Sequence, residues 1–300
     1  MKVGVFGLGS MGFGMACSLL KDGHEVWGFD VIDEQVEKFA HQGGKKGDIT
    51  QVMPQLDVVL VVVLNAAQTD SVLFGCGKQA GITSEIKPNS VIISCATVAP
   101  GFARKMDQQC RDLNIDYLDA PISGGAVKAA QGQLSIMAAG KRSTFEKVEP
   151  VLDSIAETVF ELGEDVGAGS AMKAVNQLLA GVHIASMAEA MTFGMTQGIK
   201  PNKIVEVISK CAGSSWMFEN RAPHIVEGDY TPHSAVDIWL KDLGIILDIA
   251  KGINFPTPLT SIALAQFAEA SNQGLGKQDD AAVAKVYAEK ANIKLPEKRN

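Results

Sequence analysis

The sequence predicts an α/β domain with a doubly wound parallel sheet, residues 1–163, followed by an all-helical domain, residues 164–300. In the first half, short β-rich runs alternate with helical patterns, which is the order that right-handed βαβ units produce. That alternation stops near Gly163. From Gly169 onward, apolar residues recur at helical spacing for about thirty residues, in a segment rich in Ala and Met. We therefore expect a long helix to join the two domains.

The elements of the first domain follow from their local sequence. The helical patterns "MGFGMACSLLKDG" and "DEQVEKFAHQG" each follow a β-rich run and end at a glycine, which commonly stops a helix. The run "DVVLVVVL" is almost uniformly apolar, as a strand buried on both faces is, and it is too short to span a bilayer. The predicted strands are, in order, KVGVF, EVWGFD, VVLVVV, SVIISCA, IDYLDAP, GQLSIMAAG and TVFELG.

Beyond the long helix the pattern stays helical, with no internal repeat or low-complexity segment. Apolar residues recur at a helical period in four further segments. The corresponding predicted helices are Lys203–Ala212, Ala235–Lys251, Thr257–Gln273 and Asp280–Ala291.

Composition and charge narrow the classes of function. The chain has 300 residues, of which 46% are hydrophobic and 20% charged, and its net charge is −7. Proteins that bind nucleic acid usually present a basic face, and no block of Lys or Arg stands out here, so we expect no nucleic-acid partner. The chain start passes directly into "KVGVF" without a cleavage site. We therefore expect a cytoplasmic protein without a secretion signal or membrane association.

The spacing of cysteine and histidine argues against a metal centre. The five cysteines are scattered, and none forms a C-x-x-C pair, so neither a disulfide framework nor a thiolate zinc site is expected. The five histidines include no H-E-x-x-H pair. The sequence therefore predicts free thiols in a reducing compartment and no bound metal.

The motif "GLGSMG" directly follows the first predicted strand and opens the first predicted helix. In that context the first glycine permits a tight turn, the second lets the backbone approach a pyrophosphate, and the third permits close helix–strand packing. The spacing alone is a weak signal, and a plain strand-to-helix turn is the alternative. An acid about twenty residues further on, at the end of the second strand, completes the Rossmann pattern. The predicted cofactor-binding residues here are Gly7, Leu8, Gly9, Ser10, Met11, Gly12 and Asp30.

Asp30 favours NAD over NADP. Its carboxylate would bind the hydroxyls of the adenosine ribose and would repel a 2′-phosphate. Val31 and Ile32 follow it, so no Arg stands there to pair with such a phosphate. We therefore expect NAD as the cofactor.

Oxidation of an alcohol needs a base for the hydroxyl proton and groups that hold the substrate's charge. "DAPISGG" runs from a predicted strand end into a loop of small residues, where backbone N–H groups and the Ser123 hydroxyl could bind a carboxylate. An ordinary turn is the alternative interpretation of that loop.

In "GAGSAMKAVNQLL", Lys173 and Gln177 lie four residues apart and share one helical face. A lysine on an apolar helix is costly to bury without a task, although a lysine whose amine reaches solvent is the alternative. Lys241 interrupts a second apolar stripe, "IWLKDLGIIL".

Four motifs together resemble the β-hydroxyacid dehydrogenase family, the relatives of 3-hydroxyisobutyrate dehydrogenase. They are GLGSMG, DAPISGGAVKAAQGQLSIMAAG, GSAMKAVNQ and KDLGIIL, in family order and along essentially the full chain. The resemblance implies an N-terminal Rossmann domain, an all-helical C-terminal domain and NAD(P)-linked oxidation of 2-hydroxy or 3-hydroxy acids. We also expect a homodimer or homotetramer.

The resemblance implies roles for individual residues. Lys173 corresponds to the catalytic lysine. The positions that hold the substrate carboxylate are Ser123, Gly124 and Gly125. The further cofactor positions are Leu64, Asn65, Thr97 and Lys241, the last two near the nicotinamide ring.

Departures from the common family pattern point to one branch. Gln177 stands where Asn is common, Asn65 where a Leu-Pro pair is common, and Cys95-Ala96-Thr97 where Ser-Ser-Thr is common. With "QLLAGVHIA", "SSWMFENR" and "GDYTPHSAVDI", these features are similar to the branch that oxidises the C2 hydroxyl of L-threonate, a four-carbon sugar acid. We expect that reaction, with Lys173 as general base and Gln177 among the substrate-binding residues. The alternatives are an enzyme of the 3-hydroxyisobutyrate or tartronate semialdehyde type, and a catalytically silent dinucleotide-binding module.

Extra polar groups would suit a polyhydroxylated substrate, because its hydroxyls need buried partners. His233 is such a group in addition to Asn65 and Gln177. Trp216 and Phe218 are interpreted as core or interface aromatic residues, with pocket lining as the alternative.

Overall fold

A computed structural model describes residues 1–77 and 79–298 of the chain. These residues form two compact units, Met1–Lys173 and a second unit from Ala174 onward. The division lies within a helix that begins at Ala168. The sequence prediction placed the domain boundary earlier, at residue 163.

Ten strands lie in the described part of the first unit. They are β1 Lys2–Phe6, β2 Glu25–Phe29, β3 Val58–Val61, β4 Gly75–Cys76, β5 Gln79–Ala80, β6 Val91–Ser94, β7 Asp116–Asp119, β8 Ile122–Ser123, β9 Leu134–Ala138 and β10 Ala156–Glu161. One sheet has the order β2-β1-β3-β6-β7, and every neighbouring pair in it is parallel. The strand order turns at β1, because β2 lies on one side of it and β3 on the other. This is the doubly wound arrangement that the alternating pattern predicts.

Helices connect these strands. They are α1 Gly12–Lys21, α2 Asp33–His41, α3 Ile49–Val52, α4 Ala66–Phe74, α5 Pro100–Asp112, α6 Gly125–Gln131 and α7 Arg142–Ile155. The helices predicted in "MGFGMACSLLKDG" and "DEQVEKFAHQG" are confirmed as α1 and α2.

Strand β3 is buried on both faces. Val58 and Leu60 belong to the apolar core on one side of the sheet, and Val59 and Val61 belong to the core on the other side. All four residues are 0% exposed. Successive side chains of a strand point to opposite faces, so a uniformly apolar strand requires helices on both faces of its sheet. The interpretation of "DVVLVVVL" as a doubly buried strand is confirmed.

A second, smaller sheet contains β10, β9 and β8 in that order. β9 pairs in parallel with β10 and antiparallel with β8. The two strands predicted in "GQLSIMAAG" and "TVFELG" are therefore confirmed, but they do not extend the five-stranded sheet. After β7 the chain passes through Pro121 and runs back along β9 as β8, and this reversal separates the two sheets. The short strands β4 and β5 form an antiparallel hairpin.

The second unit is helical. Its helices are the greater part of α8 Ala168–Thr196, then α9 Pro201–Ile208, α10 Trp216–Glu227, α11 Val236–Gly252, α12 Pro258–Ala270 and α13 Ala284–Lys290. The four further helices predicted from periodicity are confirmed as α9, α11, α12 and α13. Helix α10 was not predicted; it contains Pro223, a residue that normally ends a helix. The side chain of Ser215 caps it by accepting the N–H of Phe218.

Helix α8 supplies one side of the core of the second unit. Its residues Ile184, Ala188 and Met191 belong to an apolar cluster with Trp239 and Phe267, whose rings stack 5.7 Å apart. The helix has 29 residues. By length and composition alone it would pass as a membrane span, yet half of its most apolar window is buried, a property that the core helix of a globular protein shares.

Candidate active site

Predicted site residues follow each strand of the five-stranded sheet. They are Gly7 after β1, Asp30 after β2, Leu64 and Asn65 after β3, Thr97 after β6 and Ser123 after β7. Because these strands are parallel, their carboxyl ends lie at the same edge of the sheet. Open α/β sheets bind ligands at that edge, beside the point where the strand order turns. The fold therefore brings the predicted residues of the first unit to the edge where nucleotides bind.

The three glycines of "GLGSMG" have different surroundings, and a side chain would be excluded at two of them. Gly7 has a φ of +95°, and a side chain there would overlap the carbonyl oxygen of Val62. A side chain at Gly12 would overlap the carbonyl oxygen of Gly7. A Cβ at Gly9, by contrast, would meet nothing within 4 Å. Gly7 and Gly12 are thus required by packing, and Gly9 leaves open space at the point where a pyrophosphate would approach the backbone.

Asp30 connects the end of β2 to this glycine loop. Its Oδ2 accepts the backbone N–H of Leu8 at 2.6 Å, and its Oδ1 accepts the N–H of Ile32 at 2.9 Å. Each carboxylate oxygen can accept a second hydrogen bond, so two acceptor sites remain for ribose hydroxyls. Val31 next to it is fully exposed and offers no cation.

A dinucleotide fits this set of residues. The first N–H groups of a helix have no acceptor inside it and suit a pyrophosphate; in α1 the N–H of Phe13 donates to the carbonyl oxygen of Gly9, which leaves this task to the N–H groups up to Gly12. Gly9 leaves room for that group, and Asp30 supplies the acceptors for a ribose. Gly9 to Gly12 would therefore hold the phosphates, and Asp30 the adenosine ribose.

Asn65 has a local structural role that the sequence prediction missed. Its Oδ1 accepts the N–H of Gln68 at 2.9 Å and so caps α4, while the Oε1 of Gln68 accepts the N–H of Leu64 at 2.8 Å. Asn65 is thus the N-cap of α4, and the Gln68 side chain, three residues further on, binds the residue before that cap. Thr97 follows β6 and is half-buried. Burial raises the pKa of the neighbouring Cys95 to about 12, so this residue is a thiol at neutral pH.

The loop Ser123–Gly125 has a backbone that favours glycine. Gly124 has a φ of +136° and Gly125 a φ of +78°, backbone conformations that residues other than glycine rarely adopt. Successive backbone N–H groups in such turns can converge on one anion. Ser123 and Gly124 are half-buried and Gly125 is exposed, so the loop is partly open to solvent.

Lys173 lies next to this loop. Only 7% of the residue is exposed. Its Nζ donates a hydrogen bond of 2.8 Å to the carbonyl oxygen of Ile122, the residue before Ser123. The alternative of a lysine whose amine extends into solvent is therefore wrong.

Two residues near Lys173 were missed. The buried carboxylate of Asp119 accepts hydrogen bonds from Ser170 and from the backbone of Gly167, at the start of α8. Both motifs containing these residues were already recognised, since Asp119 begins "DAPISGG" and Ser170 lies in "GSAMK". The pairing between them was hidden because the two motifs are 51 residues apart in sequence.

In the second unit, a buried carboxylate connects two predicted residues. Gln177 donates from Nε2 to Asp242 Oδ2 at 2.5 Å, and Lys241 Nζ lies 2.7 Å from Asp242 Oδ1. Asn176 donates to the Oε1 of Gln177 at 2.9 Å. The amide of Gln177 is thus held at both ends, with one N–H and one lone pair left for a ligand. The sequence prediction missed Asp242, although it lies directly after Lys241.

A second buried network of the second unit surrounds Asp279 and Asp280. Arg221 donates from Nε to Asp280 Oδ1 at 2.6 Å, and the indole N–H of Trp239 donates to the other oxygen at 2.9 Å. His224 donates from Nδ1 to Asp279 at 2.8 Å. This hydrogen bond raises the pKa of His224 above its ordinary value of 6.5, and burial raises the pKa of Asp280 to about 6.

The two aromatic residues interpreted as core or interface residues, Phe218 and Trp216, differ in exposure. Phe218 is 3% exposed and belongs to the core of the second unit. Trp216 is 61% exposed. His233 is exposed, and its ring packs edge-on against that of His224 with centroids 4.8 Å apart.

A shallow, open depression of about 480 Å³ lies at the opposite edge of the five-stranded sheet. It is lined by the amino-terminal ends of β1 and β2 and by Asp57 and Lys87. These two side chains pair with each other at 2.7 Å. Because the glycine loop and Lys173 belong to the carboxyl edge, this depression is not part of the candidate site.

The sequence matches two known family descriptions that together span most of the chain. Residues 2–163 match the NAD-binding domain of 6-phosphogluconate dehydrogenase. Residues 167–287 match the NAD-binding domain of NADP-dependent 3-hydroxyisobutyrate dehydrogenase. The protein belongs to the β-hydroxyacid dehydrogenase family. As a member, it is a dehydrogenase that binds NAD(P).

Similar β-hydroxyacid dehydrogenases include several with assigned substrates. An L-threonate dehydrogenase of Cupriavidus necator is 46% identical, over 99% of this chain and 98% of the relative. One from Escherichia coli is 44% identical, over 98% of this chain and 96% of the relative. A crystal structure of 3-hydroxyisobutyrate dehydrogenase from Salmonella typhimurium has 44% identity and a TM-score of 0.88, covering 95% of this chain and 99% of that one.

Proposed function

We propose that this enzyme oxidises the C2 hydroxyl of L-threonate to the 2-oxo acid, with NAD as hydride acceptor and Lys173 as general base. The observation that carries the proposal is the position of the Lys173 amine, 2.8 Å from the carbonyl oxygen of Ile122. That carbonyl directly precedes Ser123–Gly125, the loop assigned to the substrate carboxylate. A 2-hydroxy acid bound there would have its C2 hydroxyl close to its own carboxylate and thus close to the amine.

Each residue of the loop and helix has a defined task in this reaction. The Ser123 hydroxyl and the N–H groups of Gly124 and Gly125 donate hydrogen bonds to the substrate carboxylate. Lys173, as the neutral amine, accepts the proton of the C2 hydroxyl. The chemistry that bound NAD supplies is acceptance of the hydride from C2. The hydroxyl carbon becomes a ketone, and the enzyme is left with a protonated lysine that returns its proton to solvent.

The preference for NAD rests on Asp30. Its Oδ2 accepts the N–H of Leu8 in the glycine loop at 2.6 Å and its Oδ1 accepts the N–H of Ile32 at 2.9 Å, so the carboxylate is a fixed negative charge beside that loop. A 2′-phosphate beside that charge would be repelled, and neither Val31 nor Ile32 offers a cation to offset it. One of the two family descriptions names an NADP-dependent enzyme, so direct measurement with both cofactors is part of the test.

The choice of L-threonate has two supports. Relatives at 44–46% identity over nearly the full chain are named L-threonate dehydrogenases. Gln177 keeps an amide with remaining hydrogen-bonding capacity, which suits a substrate with hydroxyls at C3 and C4. The second candidate is 3-hydroxyisobutyrate, because a similar crystal structure carries that name. We further propose a cytoplasmic homodimer or homotetramer, as the family resemblance implies.

A substrate panel tests the proposal. Purified enzyme is assayed by formation of the reduced cofactor with L-threonate, D-threonate, 3-hydroxyisobutyrate and L-serine, each with NAD and with NADP. Tartronate semialdehyde is assayed in the reverse direction, by consumption of NADH or NADPH. We expect the highest kcat/KM for L-threonate with NAD. Sites built to bind a hydroxyl reject an analogue that lacks it by up to about 10⁴-fold, so 3-hydroxyisobutyrate should be a poor substrate. Faster turnover of 3-hydroxyisobutyrate would contradict the substrate assignment and leave the family membership intact.

A matched pair of variants refines the panel. Gln177→Ala should lower kcat/KM for L-threonate more than for 3-hydroxyisobutyrate, because only L-threonate has further hydroxyls besides the one that is oxidised, and these need a partner. Gln197→Ala, at an exposed position on the same chain, is the control and should leave the ratio of the two unchanged. If no hydroxy acid is oxidised although NADH binds, the silent dinucleotide-binding module becomes the better description.

A further inference from the structure

The carboxylate of Asp119 occupies a fixed place at the end of β7. The residue is 1% exposed. Its backbone is paired with Ser94 inside the parallel sheet. On the other side, its N–H donates to Ala139 at 3.0 Å and its carbonyl accepts the N–H of Ala139 at 2.9 Å. The two sheets therefore determine where this side chain begins.

The Asp119 side chain completes the N-terminus of α8. The first N–H groups of a helix have no acceptor within it, and the residue just before the helix usually supplies one from its side chain. In α8 that residue is Gly167, which has no side chain. Asp119 Oδ2 instead accepts the N–H of Gly167 at 3.0 Å and of Ser170 at 2.8 Å, and Oδ1 accepts the Ser170 hydroxyl at 2.7 Å. A negative charge at a helix N-terminus is also favoured by the helix dipole.

The start of α8 packs directly on the end of β7. A Cβ at Gly169 would lie 2.6 Å from the carbonyl oxygen of Asp119 and 2.5 Å from that of Met137. Only glycine permits this approach of helix to strand. Because hydrogen bonds join each turn of a helix to the next, a displacement of this first turn would also move the following turn, which contains Lys173.

Asp119 therefore holds both segments that carry the candidate chemistry. Its side chain binds the first turn of α8, and Lys173 lies one turn further along that helix. From its backbone the chain leads to Ile122, whose carbonyl accepts the Lys173 amine, and then to Ser123–Gly125. Two contacts thus join the segment after β7 to the start of α8: the Asp119 carboxylate binds the first turn of α8, and the Lys173 amine binds the carbonyl of Ile122. Together they fix the position of the amine relative to Ser123–Gly125.

We propose that Asp119 is a positioning residue of the oxidation, which sets the place of the Lys173 amine relative to Ser123–Gly125 by binding the first turn of α8. The inference rests on the proposed role of Lys173. A carboxylate suits this task better than an amide, because its negative charge strengthens the hydrogen bonds from the two backbone N–H groups and is favoured by the dipole of α8. Asparagine keeps the shape of the side chain but removes that charge, and its N–H group can face only the Ser170 hydroxyl without opposing a backbone donor.

The test uses Asp119→Asn, which keeps the shape of the side chain, and Ser170→Ala, which removes only the hydroxyl bond. The control is Asp107→Asn, which removes another buried carboxylate of the first unit, 6% exposed and paired with Arg111 on α5. Each variant is measured for melting temperature and NADH affinity. Its kcat and KM for L-threonate are measured, as is the kinetic isotope effect with substrate deuterated at C2.

We expect Asp119→Asn to lower kcat by about 10²-fold, as a misplacement near 1 Å can, with NADH affinity within about twofold of wild type. The isotope effect should rise, because the chemical step becomes slower relative to substrate and product steps. Ser170→Ala should show a smaller change in the same direction, and Asp107→Asn should show neither change. Simple loss of folded enzyme lowers the active fraction and leaves the isotope effect unaltered.

A second readout needs no substrate. Acetic anhydride labels lysine amines, and mass spectrometry compares Lys173 with Lys147, whose amine pairs with Asp116 on the surface. Asp119→Asn should increase labelling of Lys173 relative to Lys147, and Asp107→Asn should not. Unchanged labelling of Lys173 together with a kcat within about threefold of wild type would overturn the inference. If wild-type enzyme oxidises no hydroxy acid, the proposed function fails, while the labelling comparison still decides whether Asp119 holds the amine.

Discussion

Replacing Lys173 by methionine separates the proposed proton transfer from packing. Methionine has a comparable unbranched stem, so it fills the space of a side chain that is 7% exposed, but it has no nitrogen that can accept a proton. A positioned general base typically contributes about 10²–10⁴-fold to the rate. At about 1.36 kcal/mol per factor of ten, the activation barrier should rise by about 2.7–5.4 kcal/mol.

The same change has a much smaller expected effect on folding. It removes the 2.8 Å hydrogen bond from Nζ to the buried carbonyl of Ile122. Leaving one buried acceptor without that donor costs about 1–3 kcal/mol of stability. The variant recovers part of this cost, because it no longer pays for the burial of a polar amine. The free energy of unfolding should therefore fall by no more than about 2 kcal/mol. A small domain loses measurable folded fraction only when most of its stability of about 5–15 kcal/mol is lost.

The assay is NADH formation at saturating L-threonate and NAD, with NADH affinity measured by fluorescence titration. Lys147→Met is the control, because it removes an exposed lysine paired with Asp116 from the same unit. Wild-type activity should rise with pH until the lysine is fully deprotonated, and the residual activity of Lys173→Met should not follow that rise. A folded Lys173→Met variant whose kcat is within about threefold of wild type would refute the assignment of the base.

Two further changes test other parts of the molecule. Asp30→Ser combined with Val31→Arg should shift the ratio of kcat/KM values toward NADP. Total activity should fall, because Leu8 loses its 2.6 Å hydrogen bond to Asp30. An unshifted ratio would show that other residues determine cofactor specificity. The pKa of His224 is raised by the hydrogen bond to Asp279, so this pair stabilises the fold fully below pH 6.5 and loses its contribution as pH rises through the higher folded-state pKa. In urea unfolding at pH 6 and pH 9, wild type should therefore lose more stability than His224→Gln, and equal losses in both proteins would contradict this.

Much of the fold could be predicted because its signals are local. Helix α1 follows from the glycine loop and the helical spacing of the apolar residues after it. Strand β3 follows from a run that is apolar at every position, whereas a strand with one face in solvent alternates apolar and polar residues. The position of Asp30 followed in the same way, since the second strand ends there and the βαβ pattern requires an acid at that point. Helix α10 was missed because Pro223, a residue that normally ends helices, lies inside it.

The candidate site could be predicted only in part. Lys173, Ser123 and Asp30 each stand in a motif that can be recognised from neighbouring residues. Asn65 illustrates the limit, since its position was recognised but its capping of α4 was not. The carboxylate of Asp242 was missed because nothing in its own neighbourhood indicates that it faces Gln177, which lies 65 residues away in sequence.

By itself the sequence determined the alternation of strands and helices in the first half, the helical second half, the nucleotide-binding turn and the family, because these depend on spacing between residues that are close in the chain. Only the tertiary structure decided which partners the buried polar groups have. Asp119 accepts hydrogen bonds from Gly167 and Ser170, and Lys173 reaches Ile122, all across 48 to 51 residues of chain. A buried charge must find its partner wherever the fold brings one, and that requirement leaves no periodic trace in the sequence.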